Sequence, residues 1–466
     1  MRDLLLFAII MGLIPLILYR PWLGILGWYW VGIMNPHRLT WGFMYDFQVA
    51  MLIGVVALAA LVIAKDKKAP PLTAPTILIG LMAAYFTFTT FFAWAPEAAW
   101  NYWDQPMKIF LMTIVTTMLI HGKKRVELLA IVIVGSLAFY GIKGGLFTIM
   151  TGGQYHVLGP ARSFIQGNTS LGLAMLMVLP LMLVLARQAT QRRLASFPDA
   201  PWVSWVGWGG YAAFWLTGLA TVFTYSRGAL LGLAAIGPFV FAKMRYKAAM
   251  VIVCLLAAGT VIALVPEQLF DRARTIQEYE EDWSAMQRIQ AWGVNWNIAV
   301  ENPWTGAGFA MVNMPTELWL SYANFQGPWH PGARVAHSNY FQVLGHHGFA
   351  GFALYMMLLI TVMVSLFRLA RRARRSAETL WISEYAWAVL VGLIGYAVAG
   401  AFLDLAYFDL FYAYVALTVI LRREYAWAVA KAPAHDSVKT DLKYKHPARG
   451  PVQPARTRLH VPARLN

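Results

Sequence analysis

His337 opens the run His337-Ser338-Asn339-Tyr340-Phe341-Gln342-Val343-Leu344, where a long hydrophilic stretch gives way to an apolar one. An imidazole in the first turn of a helix meets the positive end of the helix dipole, which favours its neutral, proton-accepting form. That is the state a general base requires. The plainer alternative is a structural histidine bonded to a backbone carbonyl. His346 and His347, deeper in the same run, read as packing or hydrogen-bonding groups, and His330 beside Pro331 as structural.

A base needs something to react beside it, and the candidates are cations in unexpected places. Arg162 lies in Gly159-Pro160-Ala161-Arg162, Arg227 in Tyr225-Ser226-Arg227-Gly228, Arg288 in a helical stretch, Arg334 just before His337, and Lys143 in Gly141-Ile142-Lys143-Gly144-Gly145. Charge near an apolar core is costly and so is informative. Guanidinium groups converging on one mouth fit a ligand with paired anionic oxygens, and a pyrophosphate suits the bidentate fork of arginine. Each could instead snorkel to a headgroup phosphate or pair with a carboxylate. Arg162, Arg227, Arg288 and Lys143 are the candidate pyrophosphate ligands, with His337 as the catalytic base. Asn339, Tyr225 and Arg334 are expected to support them. Asp404 and Asp409, near the outer end of the last helix pair, are expected at most to pair with an arginine.

These residues must be positioned by membrane-spanning elements. The chain is 466 residues long, 59% hydrophobic and only 13% charged, whereas soluble domains carry about 25% charge. Apolar runs of roughly the length needed to cross a bilayer recur near residues 3–34, 46–64, 74–93, 107–121, 127–150, 169–187, 205–225, 229–243, 248–265, 341–367, 383–401 and 407–421. They lack barrel-like alternation, and in lipid the backbone must satisfy itself, so they are helices. The fold expected is an all-α polytopic membrane protein of about twelve crossings.

Orientation follows from the basic loops. Lys65, Lys67 and Lys68; Lys123, Lys124 and Arg125; Arg192 and Arg193; Lys243, Arg245 and Lys247; and Arg368 to Arg375 fall in alternate loops, which are therefore cytoplasmic. This sorting accounts for most of the net charge of +16, so the excess does not point to nucleic acid. Residues 1–265 read as transmembrane helices with short loops, 266–336 as one large periplasmic loop, 337–422 as C-terminal transmembrane helices and 423–466 as a basic, disordered cytoplasmic tail attracted to membrane lipids. Pro15 and Pro21 break the first run in two. Met1 is then inside with one net crossing there, or outside with two. The cations singled out above all fall on the outer side, where positive charge is disfavoured.

Within the large loop, residues 284–300 read as an amphipathic helix after a Ser284 cap, with Met286, Ile289, Trp292, Trp296 and Ile298 at helical spacing. The tryptophans suggest the membrane interface, and the loop a lid over the outer mouth. The acidic run Glu278, Glu280, Glu281 and Asp282 could bind a divalent ion but reads more simply as a solvated face paired with Arg272 and Arg274. The single Cys254 excludes a disulfide framework and a zinc ribbon. No Asp-x-Asp, His-Glu-x-x-His, Walker loop or Gly-x-Ser-x-Gly occurs, and no metal or cofactor is expected.

Tyr225-Ser226-Arg227-Gly228-Ala229, then Arg288-Ile289-Gln290-Ala291-Trp292, Asn302-Pro303-Trp304-Thr305-Gly306-Ala307-Gly308 and His337-Ser338-Asn339-Tyr340 with Gly345 and Gly348 resemble the signature of the O-antigen ligase and polymerase superfamily. Asn35-Pro36-His37-Arg38-Leu39-Thr40-Trp41-Gly42 and Lys143-Gly144-Gly145 also resemble its O-glycosylation ligase branch. The resemblance implies a GT-C-like glycosyltransferase of the bacterial inner membrane with a periplasmic site. Such an enzyme moves a glycan from undecaprenyl pyrophosphate to a hydroxyl, which for the ligases belongs to lipid A-core, with inversion and without metal. By motif it places the pyrophosphate on Arg227 and Arg162 and makes His337 the base or acceptor-orienting residue. The alternatives are a polymerase or protein O-glycan ligase using the same donor. A lipid-linked sugar transporter is the alternative of another class; it should carry ionisable groups near the bilayer midplane.

Overall fold

A computed structural model describes residues 1–198, 200–244, 283–328 and 332–431, and within them the chain is helical and without strands. The expected crossing at 248–265 with Cys254, the acidic run at 278–282 with Arg272 and Arg274, His330, and the tail from 432 on lie outside the described residues.

The first apolar run is two helices, α1 (Arg2–Tyr19) and α2 (Trp22–Met34). The break comes at Arg20-Pro21, and Pro15 sits inside α1 without ending it. The two are antiparallel. The carboxylate of Asp3 accepts the backbone N–H groups of Gly42 at 3.0 Å and Met44 at 3.2 Å, so the start of α1 lies at the same end of the molecule as the loop that follows α2. This hairpin is the geometry that the arrangement with two crossings requires.

Next come α3 (Val49–Ile63), α4 (Ala74–Thr90), α5 (Pro96–Leu119), α6 (Gly122–Met150), α7 (Asn168–Thr190), α8 (Val203–Val222) and α9 (Arg227–Lys243). Residues 94–106, between the expected crossings at 74–93 and 107–121, mostly belong to α5. Pro96 occupies its first turn, where the missing N–H costs nothing, and Pro106 lies inside it. Beyond the undescribed stretch follow α10 (Trp283–Glu301), the short α11 (Thr316–Ser321), α12 (Asn339–Arg372), α13 (Leu380–Ala399) and α14 (Asp409–Lys431). Residues 423–431, assigned to the tail from composition, continue α14 as helix.

The helices α1, α6, α7, α12 and α13 are long and apolar enough to span a bilayer, and α2, α3 and α4 are shorter apolar helices. The chain is a multi-pass membrane protein. Burial within it is uneven: nearly every residue of α7 is covered by other helices, whereas α1 turns Leu4, Leu5, Ile9 and Leu16 outward. α7 packs on α8, α9 and α13, and this buried group carries the ends that frame the site.

The loop segment from α10 to α11 has a small core of its own, formed by Ala291, Val294, Ile298, Ala307, Met311, Met314 and Trp319. It is fastened to α12 backbone to backbone. The N–H of Ala307 donates to Gly345 O, that of Gly308 to His346 O, and that of Phe349 to Pro303 O, each at 2.9 Å. Two glycines permit this. Gly348 takes φ 64 and kinks α12, a conformation open to glycine at little cost. At Gly345 a Cβ would sit 1.9 Å from Asn295 Oδ1, so the Asn295 side chain of α10 fills the space that a side chain on α12 would need.

Candidate functional site

The short segment between α13 and α14 gathers the site. Phe402 lies against the start of α9, since a side chain built on Gly228 would meet its Cβ at 3.4 Å and Ala399 O at 3.2 Å. The same ring lies 6.4 Å from that of Trp292 on α10. Asp404 faces the start of α12: its Oδ1 accepts the N–H of Ser338 at 3.2 Å, and its Oδ2 lies 3.5 Å from His337 Nδ1. Leu405 N–H donates to Asn339 Oδ1 at 2.6 Å, and Ala406 N–H to Gln342 Oε1 at 3.2 Å. Asn339, expected as a supporting residue, thus pins the 399–406 segment to α12.

His337 sits outside the first turn of α12: Ser338 is the cap and Asn339 the first helical residue. It takes φ 47, in the left-handed region that a side chain adopts at a cost of order 1 kcal/mol. The direct pull of the helix dipole, invoked from the sequence, is therefore not its main influence. Partial burial holds the imidazole below its usual range, and Arg288 and Arg334 push it further the same way. Both influences favour the neutral ring. With Nδ1 turned to Asp404, that carboxylate selects the tautomer that leaves Nε2 as the acceptor. Asp404 is itself pushed up to about 6 by burial, against the opposing effect of backbone N–H groups of His337 and Ser338 and of Arg288.

His337 borders a cavity of about 470 Å³ lined also by Ser284, Gln287 and Arg288 of α10 and by Val312, Ala333, Arg334 and Val335. Arg334 donates from Nη1 to Gln287 Oε1 at 2.6 Å, which ties the approach to His337 onto α10. Trp292 stacks on Phe341 with ring centroids 5.4 Å apart and donates to Ala336 O at 2.8 Å. It therefore braces α10 against the start of α12. The face that α10 buries is Gln290, Ala291, Val294, Asn295, Ile298 and Ala299; of the expected stripe Ile298 lies on it, while Ile289 and Trp296 are exposed.

The remaining candidates lie elsewhere. Arg227 is the first residue of α9, exposed, after a Ser226 cap whose Oγ accepts Ala229 N–H at 3.2 Å. Tyr225, at φ 54, donates its hydroxyl to Gly153 O and packs its ring 5.0 Å from that of His156, holding the 151–167 loop against this turn. Arg162, at φ 55, is exposed and reaches Asp46 Oδ1 at 3.3 Å, a carboxylate it shares with Arg38 at 3.0 Å. Lys143 is exposed on α6, on the side away from Gly141 and Gly145, which face α8. His346 and His347 are buried as packing groups: His347 stacks on Phe86 at 3.8 Å with Nδ1 2.6 Å from Thr89 Oγ1, and His346 Nδ1 lies 3.3 Å from the Tyr407 hydroxyl.

Among the described residues no three His, Cys, Asp or Glu side chains stand together as a metal site. Asp404 is the residue the sequence underrated, because its partner is 67 positions away in the chain. The only hint was an acidic group at the outer end of a helix pair.

Two family models match the chain. Residues 1–190 match a family of unknown function (DUF5935), and residues 212–356 match the family described as O-Antigen ligase. The second match contains Tyr225, Arg227, Arg288, Arg334, His337, Gly345 and Gly348, and Asp404 lies beyond it. No curated protein matches the chain.

Proposed function

We propose that this protein is an O-antigen ligase: an inverting glycosyltransferase that takes a glycan from undecaprenyl pyrophosphate and gives it to a hydroxyl of lipid A-core at the periplasmic face of the bacterial inner membrane. The observation that carries the reading is the cavity in which His337, backed by Asp404, faces Arg288 and Arg334.

Glycosyl transfer needs a proton acceptor on the incoming side and stabilisation of charge on the departing one. His337 Nε2 takes the proton of the acceptor hydroxyl as its oxygen bonds to the anomeric carbon. Asp404 holds the ring and balances the imidazolium that forms. The bond from the anomeric carbon to the pyrophosphate breaks, and its electrons remain on an oxyanion that Arg288 and Arg334 receive. Arg227, on the helix end that packs against Phe402, is a further cation for that leaving group. Arg227, Arg162 and Lys143 all lie outside the lining of this cavity, and of the three Arg227 is the one on a helix end that packs against Phe402. A lipid-linked donor also accounts for a site at the end of a membrane bundle: the polyprenyl tail stays in the bilayer while its head reaches the cations.

The test is reconstitution. Purified protein in detergent, given the lipid-linked glycan and lipid A-core with no ion gradient, should form the capped lipid and release undecaprenyl pyrophosphate, and His337→Ala of the same fold should not. Turnover only with a growing glycan or a Ser or Thr acceptor would reassign the acceptor, and normal turnover by His337→Ala would remove the base.

A further inference from the structure

A second cavity, of about 710 Å³, lies where the α1–α2 turn, the end of α3 and the start of α6 meet. It is at the opposite end of the bundle from His337. α14 starts at Asp409, just after the 399–406 segment, and near its other end Glu424 Oε1 accepts the N–H of Gly122 at 2.9 Å. At about 1.5 Å per residue these two points are about 22 Å apart.

Arg20, Lys65, Lys123, Lys124 and Arg125 line this cavity with one carboxylate, Asp66. Arg125 takes that carboxylate and also donates to His121 Nε2 at 2.9 Å, so the imidazole is neutral and adds no charge. Arg20, Lys65 and Lys124 form no ion pair among the described residues. Sorting of positive charge to one side of the membrane explains basic residues in a loop; it does not explain their convergence on one hollow, since Arg371 and Arg372 at the end of α12 line neither cavity. The other wall is apolar, made by Leu18, Trp22, Ile63 and Ala64. Leu16, Leu18, Val62 and Ile63 continue it outward as exposed apolar surface on α1 and α3. A free phosphate would use only the cations, whereas a lipid would use both walls.

We infer that this cavity binds the phosphate headgroup of an anionic membrane lipid, with acyl chains lying along the exposed flank of α1 and α3. Cationic pockets between helices at a membrane face are suited to such headgroups. The lipid fills the gap beside the poorly covered α1 and fixes it to α3 and α6.

The full chain, purified in neutral detergent, is offered phosphatidylglycerol or phosphatidylcholine, and retained lipid is read by native mass spectrometry. Phosphatidylglycerol should be retained and phosphatidylcholine not. The pair Lys65→Glu and Lys124→Glu should lower occupancy roughly tenfold or more, while Lys65→Arg with Lys124→Arg, and Arg371→Glu with Arg372→Glu, should keep it. Undiminished retention by the Lys65→Glu, Lys124→Glu protein, equal retention of phosphatidylcholine, or loss in the arginine pair would overturn the site. Displacement by millimolar inorganic phosphate would show that it takes a free anion instead of a lipid.

Discussion

The two ends of the bundle both carry cations and use them differently. At the His337 end the positive groups are few and individually placed: Arg334 on Gln287, Arg162 on Asp46, Arg288 beside Asp404 and His337. At the other end they crowd one hollow around a single carboxylate. Placement against fixed partners suits a reaction, in which charge must meet charge at one atom. Crowding suits a headgroup that arrives in many conformations. Net charge alone would have ranked the two ends in the wrong order for chemistry.

The largest effect that could break this contrast is at His337. His337→Ala should lower turnover by roughly 10²- to 10⁴-fold without changing lipid retention at the far end, measured on the same preparation. Asp404→Asn comes next. It keeps the shape but loses the charge opposite the imidazolium, and a hydrogen bond to a charged group is worth about 1.5–3 kcal/mol, or roughly 10- to 150-fold in turnover. The pH profile sharpens this. With Asp404 pushed up to about 6, its carboxylate is protonated below that value and no longer balances positive charge on His337, 3.5 Å away, so activity should fall on the acid side near pH 6. In Asp404→Asn that limb should move to lower pH, where His337 itself takes up a proton, and an unmoved limb near pH 6 would assign it to another group.

Arg288→Lys should lose about tenfold, since the charge remains but the fork does not, and Arg288→Ala more; equal rates for the two would show that charge is not what matters there. The smallest effect is expected at Arg162. An exposed ion pair is worth about 0–1 kcal/mol, so Arg162→Ala should change turnover by no more than about fivefold, and Lys143→Ala by less. A hundredfold loss at Arg162 would return it to the reaction.

The sequence read the helices well because a bilayer imposes one length and one composition on them. It also read α10, expected at 284–300 and observed as Trp283–Glu301, because a helical repeat is local, although Ser284, expected as the cap, lies inside the helix. It could not weigh the cations against one another. Arg162, Arg227 and Lys143 stood out for the same reason as Arg288, their position on the outer side, and only distant partners separate them: Asp46 for Arg162, the cavity for Arg288. His337, Tyr225 and Arg162 all adopt positive φ, which no residue type announces. Asp404 was hidden because its role depends on the 399–406 turn folding back on α12.

The docking of Asn302–Gly308 onto the kink at Gly348 sets an order of assembly during synthesis. The segment made first has no partner for the N–H groups of Ala307 and Gly308 until residues 345–349 have left the ribosome and entered the membrane. A nascent chain halted before Gly345 should therefore hold an open, protease-sensitive segment at 302–308, and one released beyond Phe349 a closed one. The protein would complete this cavity late, only after α12 is committed to the bilayer and α14 has delivered the turn that carries Asp404.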